Sequence, residues 1–495
     1  MRATPLFASS WLMWLAGLIA LVLFLTTNLP WQLDDYDQAK QAYTSFEMVK
    51  EGHWLYQHTP HERIATKPPL IGWISSGIFS VTRSWAIAWR LPSLLSAIAL
   101  SILLFRAGSV YGAVAGLISL SAFAFNLLTP RLATLVRTDM PLALVIFAIG
   151  FLIWDKIRRR EPWNARDRLW MFTLLTVAML IKGPIVYAFL LPGIVALKFW
   201  ERRRHACLHS WSGWWPWIVS LSIFLIWVIG GSIFVPGFYD QVVVREFLGR
   251  FGETVHRPQP FLFYLPHLLH KFLPWSALMI GCAIFEFNRL RKLDGLKPSS
   301  FRERLRLIKF SPEMLWLFLW IFGGLIVMSI IPSKRVDRIF PIVPPLCLLL
   351  ATQIGNALNN ERIARRVLQW SGAALVLSIL FAGGYSGFKV FTGYRDHRDA
   401  LVIFGLNVQK ATGYPKIEVL ESKDEGLLLY LEQLHFVSRQ RAIAEWNGGE
   451  TNALVVPEQK AAALIQELQN AKIAPLKSET RADQPINYVL IRRAE

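Results

Sequence analysis

Long apolar runs separated by short polar connections organise the first four-fifths of the chain. They cover residues 11–29, 85–105, 109–129, 138–154, 169–182, 185–199, 214–235, 264–287, 313–331, 339–355 and 368–388. Each approaches the roughly 20 residues that cross a bilayer as a helix. The pattern predicts a mainly α, polytopic membrane helix bundle of eleven spans, uncertain by about two. After Phe388 the pattern changes. Helices are predicted at 399–410, 425–434 and 458–472, with strands at 417–421, 453–456 and 488–492. Alternation of the two predicts a small α/β domain. The chain thus divides into a membrane domain, 1–390, and a tail domain, 391–495.

Charge in the connections sets the orientation. Residues 156–168 (with Arg158-Arg159-Arg160), 198–204, 289–309 and 362–366 are heavily basic, which places them in the cytoplasm. Alternation then puts residues 130–137, the Gly183-Pro184 turn, 236–263, 332–338 and the tail on the outer side. The apolar run 70–82 is too short to span and is predicted to lie along the outer interface. Residues 30–84 therefore form one large outer loop. The first run resembles a signal peptide, but no small-residue cleavage site precedes Trp31-Gln32-Leu33, so it is read as a retained helix.

Composition supports this reading. Of 495 residues, 54% are apolar and 18% charged, against about 45–50% and 25% in soluble domains. Disorder, collagen and a disulfide-rich secreted scaffold are excluded, and 21 Trp and 32 Phe suit lipid-facing helices and interfacial belts. The net charge of +19 does not indicate nucleic acid. Its excess sits in short loops between apolar runs, whereas a nucleic-acid binder gathers it on one soluble face. Cys207, Cys282 and Cys347 are far apart and follow no metal-ligand spacing. No Gly-rich phosphate fingerprint follows any strand of the tail, so it shows no sign of nucleotide binding.

The unusual polar residues all fall on the outer side. Asp34, Asp35 and Asp37 follow the first span, where a carboxylate is costly unless paired or used. Asp is also a good helix cap, and spacing alone leaves both readings open. Lys67 opens the interfacial segment, where it either snorkels to head groups or binds one phosphate as a point charge. Asp139 begins a helix, a position the helix dipole favours. The stretch Ser333-Lys334-Arg335-Val336-Asp337-Arg338 puts three cations in a short outer loop, against the positive-inside rule, and an anionic lipid phosphate is the natural reason. Arg245, Arg250, His256 and Arg257 add cations in residues 236–263. Carboxylates and cations on one side make a site for a lipid-linked phosphate. Paired acids could accommodate a divalent metal, but no His/Asp spacing demands one.

Several stretches then acquire a common meaning. They are Gln32-Leu33-Asp34-Asp35, Lys67-Pro68 running into Ile71-Gly72-Trp73, and Arg90-Leu91-Pro92-Ser93. Further along come Phe247-Leu248-Gly249-Arg250, His256-Arg257-Pro258-Gln259-Pro260-Phe261, Tyr264-Leu265-Pro266 and Phe272-Leu273-Pro274-Trp275. Ser333-Lys334 is followed by Pro341 and Pro344-Pro345-Leu346. In this order they resemble family 39 glycosyltransferases of the GT-C superfamily, close to bacterial lipid A aminoarabinose transferases and protein O-mannosyltransferases. The resemblance covers most of residues 10–350; the tail corresponds only in position.

It implies a GT-C bundle of about 11–13 transmembrane helices in the bacterial inner membrane, with active site and tail in the periplasm. The donor would be a sugar on a polyprenyl phosphate, the acceptor lipid A, another lipid or glycan, or a protein hydroxyl. Asp34 matches the family's first-loop catalytic acid and Asp139 is placed like its second. Lys67 matches the lysine that holds the donor phosphate, with Lys334 and Arg338 as co-ligands. Asp35, Arg250, His256, Arg257 and Tyr264 are candidate substrate contacts. The pattern departs at Thr66, where the aminoarabinose enzymes carry Glu, at Asp37 and Gln38 in place of Arg and Tyr, and at Arg338 in place of Tyr. These departures surround sugar and phosphate, so they bear on sugar identity. A secondary transporter would show repeated halves with midplane sites, and no internal repeat is found. A lipid-binding scaffold would need the cations but neither Asp34 nor Asp139.

Overall fold

A computed structural model shows the architecture and describes residues 10–33, 36–250, 258–293, 311–413, 417–482 and 485–494. Six helices among them are long and apolar enough to cross a bilayer. They are Trp85–Ser109, Asp139–Arg159, Trp215–Phe234, Pro312–Ile330, Val336–Leu358 and Ile363–Arg395. Two of the other predicted runs form helices of comparable length with charged ends. Ala165–Lys182 carries Arg166, Asp167 and Arg168 in its first turn, and Ile185–Arg204 ends in Glu201 and three arginines.

Two apolar runs fold differently from the straight spans their hydropathy predicts. Within residues 109–129 the helix is only Ala113–Ala124. Asn126 stops it: its amide donates to the Ala122 and Phe123 carbonyls at 2.9 and 2.6 Å, and its Oδ1 accepts from the Leu128 and Thr129 N–H groups. A side chain that satisfies four backbone groups offers the chain an alternative to the helix ladder. Residues 264–287 form a bent pair, Phe261–Lys271 and Trp275–Phe285, at 98°. Pro274, which has no N–H to donate, lies at the break.

The chain divides into two compact units. The first comprises Met1–Leu25, Ser93–Thr134 and Thr138–Tyr385. Its helices approach closely where residues are small, as membrane helix pairs do. A Cβ on Gly193 would lie 2.9 Å from the Leu319 carbonyl oxygen, and one on Gly323 2.9 Å from the Gly193 nitrogen, so Ile185–Arg204 and Pro312–Ile330 meet almost backbone to backbone. On Asp139–Arg159, Gly150 leaves room for the Trp320 ring, and its carbonyl accepts from the Trp316 indole at 3.0 Å.

The second unit comprises Thr26–Pro92, Leu135–Arg137 and Ser386–Glu495, so the first loop and the tail fold together. They share a core in which Leu33, Ala39, Tyr43, Phe46, Trp85 and Trp89 are buried with Leu429. The Tyr430 hydroxyl accepts from the Leu33 N–H, the Leu401 N–H donates to Gln32 Oε1 at 3.2 Å, and the Tyr43 hydroxyl donates to the Leu434 carbonyl at 2.6 Å. The helix Leu70–Thr82 buries Ile71, Gly72, Ser75 and Ser76 and packs on the helix Tyr36–Glu51, with Gly72 against Met48.

In the tail, β1 (Ile417–Val419), β2 (Ala453–Pro457), β3 (Ala471–Lys477) and β4 (Tyr488–Arg493) form one sheet in the order β1-β2-β4-β3. Only β1 and β2 run parallel, with Ile417 opposite Ala453. Apolar clusters cover both faces, and β2 is buried throughout, as its continuous apolar run requires. Three predicted strands are present. β3 falls partly where a helix end is predicted, because an edge strand with a half-polar face has a weak pattern. The helix Arg439–Asn447, capped by Ser438, has no counterpart among the predicted elements. Beneath the sheet, Asp424 Oδ2 accepts from the Arg481 guanidinium at 2.8 Å and the Tyr488 hydroxyl at 2.7 Å, all three buried.

Candidate functional site

In the first unit, Asp139 opens its helix after Thr138, which makes no side-chain cap. The Asp139 carboxylate pairs with Lys182, whose Nζ lies 2.5 Å from Oδ1 at the end of Ala165–Lys182. The side chains keep only 10% and 15% of their exposure. An ion pair so desolvated is costly to break from one side, so it fixes the carboxylate.

The cationic loop is built on the turn after Ile331. Lys334 Nζ donates to the Gln259 carbonyl at 2.9 Å, and the Gln259 N–H donates to the Pro332 carbonyl at 3.1 Å. Burial pushes the Lys334 ammonium below the ordinary lysine range. Arg338 folds back on Ser333, donating to its carbonyl at 2.6 Å and its hydroxyl at 3.1 Å. Tyr264 is buried; its hydroxyl is hydrogen-bonded by the Arg335 backbone and lies within the field of Arg338. Ser333, Lys334, Arg338 and Tyr264 thus form one neighbourhood. The buried Asp337 lies there too, within the field of Lys271, which also feels Arg131. The segment Val336–Ile342 packs against Asp139–Arg159. Lys334, fixed through one of its three donors, retains the capacity to meet an anion.

In the second unit, Lys67 Nζ donates to Gln41 Oε1 at 3.4 Å, just before the helix Leu70–Thr82. Arg137 reaches Asp37 at 3.7 Å, and Gln38 Oε1 accepts from the Val136 N–H at 3.2 Å. The start of the Tyr36–Glu51 helix is thereby tied to residues 135–137. Asp34, Asp35, His256 and Arg257 lie outside the described residues, as does the side chain of Arg250, whose backbone is in the turn Leu248–Arg250.

Sequence reasoning does not single out Lys182, Asp337 or Glu425. Lys182 ends an apolar run at the same predicted end as Asp139, which is the only signal for the pair. Glu425 shows none, because it reads as an ordinary helix start. It is buried, His61 Nε2 lies 3.5 Å away, and burial, with Asp37 adding to it against Lys40 and Arg63, raises its carboxyl to about 7.

The described residues define the class by fold: a mainly α, multi-pass membrane helix bundle with a small α/β tail. Comparison with known proteins agrees. The family described as dolichyl-phosphate-mannose-protein mannosyltransferase matches residues 66–229. The undecaprenyl phosphate-α-4-amino-4-deoxy-L-arabinose arabinosyl transferase of Serratia proteamaculans is 27% identical over 69% of this chain and 59% of its own length. The Shewanella sediminis protein of the same name is 26% identical over 70% and 61%. The chain therefore matches about three-fifths of the length of these relatives. The crystal structure of ArnT from Cupriavidus metallidurans bound to undecaprenyl phosphate superposes with a TM-score of 0.68 at 18% identity, covering 99% of this chain and 98% of that one. The chain is similar to the aminoarabinose transferases in sequence and shares the fold of ArnT.

Proposed function

We propose that the chain is an integral-membrane glycosyltransferase that moves a sugar from a polyprenyl-phosphate donor to an envelope acceptor, lipid A or another lipid or glycan. The observation that carries this is the Ser333–Arg338 turn. It holds Lys334 and Arg338 beside the buried Tyr264, in a chain similar to enzymes named for an undecaprenyl-phosphate sugar.

Lys334 and Arg338 hold the donor phosphate in this reading, and the family resemblance assigns Lys67 to the same group. As the C1–O bond breaks, negative charge builds on the departing lipid phosphate. Fixed cations stabilise that state more than the ground state. Asp34 orients or deprotonates the acceptor, and general-base help is worth about 10²–10⁴-fold. Where the acceptor is itself a phosphate, Asp34 acts by positioning. Asp139, held by Lys182, is the second acid. Arg250, His256, Arg257, Asp35 and Tyr264 contact the substrates.

The basic connections at 156–168 and 198–204 support a multi-pass inner-membrane protein with site and tail in the periplasm. A second reading, transfer to a protein Ser or Thr, is favoured by the family match over residues 66–229. Mass spectrometry of lipid A and of envelope proteins from a deletion strain and its complemented parent decides between the two. Loss of a sugar from lipid A or another glycan supports the first, loss from protein alone supports the second, and no missing sugar refutes both.

A further inference from the structure

The first loop holds a side-chain cluster that the proposed reaction does not use. The helix Tyr36–Glu51 ends at Gly52, whose φ of +78° is left-handed and whose N–H donates to the Met48 carbonyl at 3.2 Å. Glycine adopts that conformation without strain, and the reversal brings His53 back over the last helical turns. Glu47 Oε1 there faces two imidazoles, His53 Nδ1 at 2.9 Å and His58 Nδ1 at 2.7 Å. Glu51 Oε2 is 3.5 Å from His53 Nδ1, and Glu51 Oε1 is 2.9 Å from His435 Nε2. His435 Nδ1 in turn lies 3.7 Å from Glu62.

We propose that Glu47, His53 and His58 form a binding site for a divalent transition-metal ion, zinc above all. Two imidazoles and one carboxylate are the donor set that such ions prefer, whereas calcium and magnesium prefer oxygen alone. The three donor atoms lie within 4.8 Å of one another. With zinc–ligand bonds of about 2.0–2.1 Å, neighbouring tetrahedral donors sit roughly 3.3 Å apart. The contacts of 2.7 and 2.9 Å need open by only about half an ångström, within reach of small side-chain rotations.

The surroundings suit a metal as well. Glu47 is buried at 1% side-chain exposure, and its second oxygen accepts the His58 N–H at 2.6 Å, which fixes the ligating carboxylate from behind. His53, at 46% exposure, gives the ion an entry path. Glu51 or water completes the tetrahedron. Binding releases to solvent any proton held on an Nδ1 and leaves each imidazole neutral. The bound ion clamps the helix end to the segment that follows it.

The test uses the full chain, purified without a histidine tag and stripped with EDTA, then titrated with zinc against a chromogenic chelator. Cobalt is added separately to report coordination through its visible d–d bands. The expected result is one zinc per chain and a tetrahedral cobalt spectrum. Both are lost in the double variant His53→Ala, His58→Ala. His53 is exposed, and when it is replaced Glu47 keeps the His58 imidazole and backbone N–H, so His53→Ala tests ligation with the buried carboxylate still partnered. Its affinity loss is expected to exceed the roughly 10–100-fold that removal of an outer-shell partner causes. His397→Ala, outside the cluster, keeps parental affinity. A stripped chain that takes up no zinc, or one that binds equally well after the His53 and His58 changes, overturns the proposal. Glu47 is then a buried carboxylate satisfied by two imidazoles.

Discussion

Replacing Lys182 with Met tests what holds Asp139. Nζ and Oδ1 are 2.5 Å apart and both side chains are largely buried. At an effective dielectric of about 20 the gross attraction is about 7 kcal/mol, and desolvation offsets much of it. Met keeps the length of the lysine stem and removes the charge, so the buried Asp139 carboxylate loses the cation that lies 2.5 Å from it. Breaking such a pair from one side costs about 3–5 kcal/mol. At about 2 °C per kcal/mol for a large domain, Tm falls on the order of 5–10 °C. The double variant Asp139→Asn, Lys182→Met removes both charges of the pair and recovers most of that loss. Thermal unfolding in detergent measures the stabilities, and sugar transfer from a polyprenyl-phosphate donor is followed on the same preparations. A Tm of Lys182→Met indistinguishable from the parent refutes the pairing argument. A stable double variant with full turnover removes Asp139 from the catalytic assignment and leaves it a structural partner.

The remaining predictions are independent of that pair. Lys67→Ala and Lys334→Ala should each lower transfer by about 10²–10³-fold, as loss of a transition-state donor does, while the exposed Lys472→Ala leaves it unchanged; rates equal to Lys472→Ala would mean that neither lysine meets the phosphate. Gly150→Ala places a Cβ about 2.1 Å from the Trp320 ring, so it should cost about 1–3 kcal/mol by overpacking; Trp320→Leu in the same chain should restore part of it, as read by Tm. Glu425, with its folded-state carboxyl at about 7 against an ordinary 4.5, keeps a proton in the folded chain that the unfolded chain has already released between those values. Its contribution therefore makes stability fall as pH rises from about 4.5 to 7, by at most about 3 kcal/mol, and level off above. Glu425→Gln should gain stability relative to the parent at pH 8 and lose that advantage near pH 4.5, and parallel Tm–pH curves would show that the carboxyl is not raised.

Local pattern was enough for the six long apolar helices and for three of the four tail strands, because hydropathy over about 20 residues and short β-rich runs depend on neighbours in sequence. The same pattern marked Asp139, Lys67 and the Lys334–Arg338 turn, since charges beside apolar runs stand out wherever they occur. It could not show what those groups touch. Asp139 meets Lys182 from another helix, and Lys334 is held by a carbonyl 75 residues away. Nor could hydropathy foresee that Asn126 would end one helix, since the amide's effect depends on the backbone groups it reaches and not on its polarity. The joining of the first loop with the tail is likewise a tertiary result: Leu33, Phe46 and Trp89 read as ordinary apolar residues until Leu429 completes their core. Glu47 and Glu425 differ most from their sequence appearance. Each is an unremarkable glutamate on a helix, and only burial decides its chemistry. Two imidazoles and a backbone N–H face Glu47, whereas desolvation raises the Glu425 carboxyl to about 7.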